Sequence, residues 1–153
     1  MKRFYCLVLS LLLVLGACTQ SPTLNTENDV IDRSLNGAVE LVREYYADVN
    51  RGDYRRAYDR WGENGPPQQN VAAFAEQFAD IRSIELSVGD DTFMEGAAGS
   101  IYANLPIQLN IESNDGSTNI WSGTAIVKRV NDVPGASDAQ LRWHLYRLDL
   151  QPD

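Results

Sequence analysis

The chain has 153 residues, 44% of them hydrophobic and 22% charged, with two cysteines, one histidine and a formal charge of −8. That length supports one hydrophobic core and not two. The acidic balance argues against a nucleic-acid surface, which needs clustered Lys and Arg. Two cysteines and one histidine exclude a structural zinc site of the common Cys/His types.

Met1-Lys2-Arg3 is a short basic start, and Leu7 to Leu15 is apolar but for Ser10. A spanning helix needs about 20 apolar residues, so the run is too short to cross a bilayer. Its layout is that of a secretory signal. The run ends in Leu15-Gly16-Ala17-Cys18, which resembles the lipobox of bacterial lipoproteins. An ordinary secreted protein cleaved nearby is the alternative. The resemblance implies that residues 1–17 are a signal peptide and that Cys18 carries a diacylglyceryl thioether. An amide-linked acyl chain of the palmitate kind usually joins it on the new N-terminus. Each buried CH₂ adds about 0.8 kcal/mol, so two or three chains anchor where one holds marginally. Thr19 and not aspartate follows Cys18, which by the same resemblance favours the outer membrane of a Gram-negative host, facing the periplasm. Cleavage before Cys18 leaves 136 residues of formal charge −10, and Cys6 departs with the signal. The mature domain then holds no free thiol, and with that charge it is repelled by anionic lipid, so the acyl chains must hold it at the membrane.

Residues 18–33 read as the lipidated cysteine and a flexible tether, polar and broken by Pro22. Such a coil of about 15 residues has an end-to-end distance of roughly 20 Å. A single domain is expected over 34–153. Over 37–50, Ala38, Leu41, Val42, Tyr45 and Val49 form a helical stripe, with Glu40, Arg43, Glu44 and Asp48 mostly off it. Gly52 closes that helix and Asp53 caps a short second one over 54–61. Asn70 caps a third, reaching about residue 80, with Val71, Phe74 and Phe78 inward.

The period then changes to two. Strands are expected over 84–88, 100–111, 119–130 and 141–150, with a hairpin turn at Asp115-Gly116 and a loop over 131–140. Pro106 has no N–H to give a ladder, which suggests an edge or a bulge. The fold class is α+β: N-terminal helices packed on an antiparallel sheet of about four strands. Tyr45-Tyr46, then Val49-Asn50-Arg51-Gly52-Asp53-Tyr54 and an aromatic second helix, resemble the opening of the nuclear transport factor 2-like superfamily. That resemblance implies a strongly curved sheet closed into a cystatin-like cone. The usual early β-hairpin has little room between Gly62 and Asn70, which implies a reduced cone with a shallow pocket.

Candidate chemistry is sparse. His144 is the general-base candidate, as in polyketide-cyclase-like members of the superfamily, because imidazole titrates near neutrality. No second motif supplies a carboxylate partner, and a half-exposed strand histidine is the favoured reading. Tyr45, Tyr58, Trp61, Phe74, Phe78, Trp121 and Trp143 are candidates to line an apolar pocket, although at helical and strand spacing such residues are more often core. Asp90, Asp91, Glu95 and Asp132 lack the ligand spacing of a calcium loop, so no metal and no cofactor are expected. Arg51, Arg55, Arg56 and Arg60 form a basic patch, read as a solvated face more than as a docking surface. The leading expectation is a lipid-anchored envelope protein that binds an envelope protein partner or a small ligand without catalysis. The alternatives are a periplasmic polyketide-cyclase-like or isomerase-type enzyme using His144, and a structural or assembly lipoprotein of the outer membrane.

Overall fold

The computed structural model describes residues 30–63 and 65–153. The expected signal segment, Cys18 and the tether up to residue 29 lie outside the described residues. Of the expected tether, residues 30–33 are described: Val30 is exposed, Ile31 is half-buried, and Arg33 pairs with Asp132 at 2.9 Å.

Helix α1 (Leu35–Asn50) starts at Ser34, whose hydroxyl accepts from Gly37 N–H, and α2 (Tyr54–Asp59) starts at Asp53, which accepts from Arg56 N–H. Helix α3 (Val71–Glu76) is capped by Asn70 at 2.9 Å from Ala73 N and ends earlier than the apolar spacing suggests, passing through turns into β1. Each of these caps satisfies a donor that the first turn leaves without a partner.

The strands are β1 (Ile81–Val88), β2 (Phe93–Ala97), β3 (Ser100–Ser113), β4 (Thr118–Val130) and β5 (His144–Pro152), with a single helical turn α4 (Asp138–Leu141) before the last. All pairings are antiparallel, in the order β1-β3-β4-β5, with β2 also paired to β3. The helices pack against this curved sheet. The sheet has five strands, where about four were expected. Strand β2 was not legible because none of its five residues is buried, so no alternation marks it. The last strand also begins at 144 and not 141, because Ser137 and Gln140 form a reciprocal capping box that winds residues 138–141 into α4.

Pro106 lies in the middle of central strand β3, where edge or bulge was expected. β1 pairs with β3 down to Ile107 and β2 pairs from Asn104 onward. The missing N–H of Pro106 falls in the gap between those two neighbours, and its carbonyl accepts from Gly89 N at 2.8 Å. The proline therefore costs the sheet no ladder bond.

Ala38, Val42, Tyr45 and Val49 of α1 pack on Ala103, Leu105, Ile107 and Leu109 of β3 and on Ala125 and Val127 of β4. Asn50 joins α1 to β1: its Nδ2 donates to Ile84 O and its Oδ1 accepts from Ile84 N, both at 2.8 Å. One amide thus satisfies two backbone groups of an edge strand.

Candidate functional site

The pocket candidates do not form one pocket. Tyr45, Tyr58, Trp61, Phe74 and Phe78 form a continuous cluster of edge-to-face and tilted contacts between 5.2 and 6.3 Å, which fills the space between the helices and the sheet. Such ring pairs are worth about 0.5–1.5 kcal/mol beyond burial. Tyr45 and Tyr46 are buried, and that burial pushes both phenols well above their ordinary value. The Trp61 indole N–H works against this shift at Tyr45, although it makes no hydrogen bond of normal geometry. Trp143 sits apart, donating to Ser34 O at 3.1 Å with the Arg129 guanidinium 5.3 Å above its ring. Trp121 does not join the others. It lies near the far end of β4 opposite Leu109 and Pro152, and it is exposed.

Three of the four arginines of the expected solvated face converge on Asp48, which is fully buried; Arg51 and Arg56 stay exposed and Arg60 does not. Arg60 Nε donates to Asp48 Oδ2 at 2.7 Å, Arg56 Nε lies 3.7 Å from Oδ1, and Arg51 also bonds the carboxylate. Arg60 reaches Glu44 as well. Arg55 pairs along the helix surface with Asp59. The charges of α2 thus tie it to α1, and Arg60 O accepts from Leu145 N at 2.8 Å, tying α2 to the start of β5.

His144 lies at that junction, between two clefts. One, of about 460 Å³, runs between residues 30–32, α1, Arg56, Arg60 and His144. The other, of about 550 Å³, is lined by Trp61, Glu63, Pro67, Lys128, Arg129, Gln140, His144 and Tyr146, among others. It opens where β4 runs on past the first residue of β5, so residues on both faces of β4 reach it. Gly62 and Gly65, both with positive φ, shape its rim. A Cβ on Gly65 would collide with the Tyr58 ring, and a Cβ on Gly62 would sit 3.3 Å from His144 Cγ.

The His144 imidazole bonds Ala139 O at 2.8 Å through Nε2. A carbonyl only accepts, so Nε2 carries the proton. Nδ1 lies against Gly62. No carboxylate is among the hydrogen-bond partners of His144 within the described residues. On the outer face of the sheet Lys128 Nζ lies 5.6 Å from the ring centres of both Tyr102 and Tyr146, which themselves meet edge-on at 5.4 Å. Among the described residues no group of three or more His, Cys, Asp and Glu is arranged to hold a metal ion. No described helix is long and apolar enough to cross a membrane.

Sequence reasoning missed Lys128, Arg129 and Asp48. Arg129 was within reach, because Ala125, Val127 and Arg129 share one face at spacing two and the first two are core. Asp48 gave no such signal.

No protein-family model matches the chain, and no curated protein matches it. Solved structures do. The chain superimposes with TM-score 0.52 on a protein of Novosphingobium aromaticivorans that carries a provisional scytalone dehydratase designation, at 12% identity over 76% of this chain and 82% of that one. It superimposes with TM-score 0.52 on a conserved protein of Planctomyces limnophilus, at 13% identity over 76% of this chain and 95% of that one. At such identity the likeness is one of fold, and the fold is the nuclear transport factor 2-like arrangement of helices on a curved antiparallel sheet.

Proposed function

We propose that the chain is a lipid-anchored protein of the cell envelope whose domain binds a small ligand in the cleft beside His144 without transforming it. The observation that carries the non-catalytic part is the setting of His144. A general base needs a free ring nitrogen facing the substrate and a group that orients the other nitrogen. Here Ala139 O orients Nε2–H and Nδ1 lies against Gly62, but no carboxylate among the described hydrogen-bond partners stands by to stabilise an imidazolium. The aromatic cluster occupies the space between helices and sheet, and of the two clefts that His144 lines, the larger, beside Lys128 and Arg129, is read as the binding space.

The anchoring rests on Leu15-Gly16-Ala17-Cys18 behind a basic start and an apolar run. Two or three acyl chains on Cys18 would hold the domain at the outer membrane on the periplasmic side, with 18–33 as its tether. Replacing Cys18 with Ser should leave an unprocessed precursor without acyl chains, seen by mass spectrometry and by loss of detergent partition. Normal processing of that variant would refute the anchor.

The binding reading is tested with a fragment library monitored by NMR on the mature chain. Hits that shift His144 and Leu145, remain chemically unchanged, and survive His144→Ala within a few-fold support it. Turnover of a hit that His144→Ala abolishes would overturn it in favour of the isomerase-type or cyclase-like enzyme. Crosslinking in the native envelope addresses the protein-partner alternative, in which the domain contacts an envelope protein directly.

A further inference from the structure

We infer that the cleft beside His144 takes a small carboxylic acid with an apolar ring or short chain, and that Lys128 holds its carboxylate; this rests on the binding reading above and names the ligand class. Lys128 is the only lysine after Lys2 in a chain with 21 Asp and Glu. Two arginines that are not exposed hold carboxylates: Arg60 holds Asp48 and Glu44, and Arg129 holds Asp132. Lys128 is half-buried, yet it takes part in no ion pair within the described residues. Two tyrosine faces fix its position instead, at 5.6 Å each. A ring face orients an ammonium without neutralising it or using up its three donors. The result is a pre-placed cation with unspent hydrogen-bond capacity at the mouth of a cleft.

A second observation points the same way. Arg129, also on the wall, is buried, and its Nε has no hydrogen-bond partner among the described residues. Its two terminal nitrogens are committed to Asp132 and to Val130 O. Asp132 balances the charge of Arg129, but the unspent Nε donor favours an acceptor on that wall. The remaining lining is apolar on one side, with Trp61, Pro67, Val130 and Leu145. Polar anchor and apolar wall together suit a ligand with one charged end. His144 offers the anion no second donor, because its Nε2–H is taken by Ala139 O.

Glu63 is the one acid of the cleft wall; it is exposed and belongs to no ion pair among the described residues. It opposes an anionic ligand, which gives the inference a variant of opposite sign.

The test uses the mature chain in nanodiscs of zwitterionic lipid, with empty nanodiscs as reference, and two probes of one shape, 2-naphthoate and its neutral amide 2-naphthamide. Titrations are followed by the NMR shifts of His144 and Leu145. A charge-assisted contact predicts that naphthoate binds about tenfold more tightly than the amide. Lys128→Met should abolish that advantage and leave amide binding unchanged, Lys128→Arg should restore most of it, and Glu63→Gln should tighten naphthoate binding severalfold. Equal affinity of acid and amide, or equal weakening of both by Lys128→Met, would overturn the assignment of a carboxylate while leaving the cleft as a binding site. No shift with either probe would overturn the binding reading and this inference with it.

Discussion

Replacing Asp48 with Ala tests whether the arginine network holds the helices to the sheet. The Asp48 side chain is fully inaccessible and Arg60 is 15% exposed, whereas Arg51 and Arg56 are 58% and 64% exposed. Exposed arginines regain water when their partner goes, so those two pairs contribute about 0–1 kcal/mol each. Arg60 does not regain water fully. Breaking a buried pair by removing one partner costs about 3–5 kcal/mol, because the other charge is left uncompensated. Arg60 keeps Glu44, which places the expected loss near the lower end, about 3 kcal/mol. For a domain of this size that lowers the melting temperature by about 10 °C.

The assay is urea unfolding followed by far-UV circular dichroism for the wild type, Asp48→Ala, Arg60→Met and the double variant. If the penalty is an abandoned charge, the double variant should be more stable than Asp48→Ala, because nothing buried is then left unpaired. Additive losses, or a loss below about 1 kcal/mol for Asp48→Ala, would refute the reasoning. The variant carries a structural signature too. Arg60 O accepts from Leu145 N, so releasing Arg60 should broaden the amide signals of His144 and Leu145.

Other outcomes follow from single contacts. Gly123→Ala should destabilise the sheet by several kcal/mol in the same assay, because its Cβ would run into Asp149 O, while Gly96→Ala, with open space around it, should be near neutral. Asn50→Ala should cost about 1–3 kcal/mol by leaving Ile84 N–H and C=O unsatisfied. Phe74→Ala should cost about 3–5 kcal/mol and Trp121→Ala far less, since the first fills the interior and the second is exposed. The raised phenols of Tyr45 and Tyr46 favour the neutral form in the folded state. Their contribution is full below pH 10, the ordinary phenol value, and is lost as pH rises above it, so Tyr46→Phe should flatten the alkaline limb of a stability profile. Asp32 and Asp115 are held below the ordinary carboxyl value by bonds from Ser34 and Ser117. Their contribution is present above pH 3.8 and lost as pH falls below it, which Asp115→Asn should reduce.

The elements that sequence pattern revealed are those with one buried and one wet face. In β3 the buried series Ala103, Leu105, Ile107 and Leu109 alternates with residues facing outward, and the period of two is plain. The stripe of α1 is equally plain. The caps at Asp53 and Asn70 were legible because a short polar side chain before an apolar run has one common use. Strand β2 buries nothing and therefore carries no pattern; only its pairing with β3 makes it a strand. Asp48 was illegible for a different reason. A carboxylate near a helical stripe reads as solvated unless its partners are known, and two of the three here come from α2 and its C-cap, eight and twelve residues further on.

The same limit explains the candidate site. His144 drew notice because it is the only histidine, and Trp121 because it is aromatic, yet neither property states a neighbour. Lys128 drew none, since a lysine on the outer face of a strand is ordinary. What makes it unusual is the company it keeps: Tyr102 lies beside it through the β3–β4 register, and Tyr146 through the irregularity between Ile126 and Val127 where β4 meets β5. A bulge gives one strand an extra residue and re-aims its side chain. Here it leaves Tyr146 on the same face as Lys128 and His144 at the head of β5, beside the end of α2. A strand register set by the hydrophobic core has thus placed a cation, two rings and a cleft together. That is why the site is a property of the fold and not of any motif in the sequence.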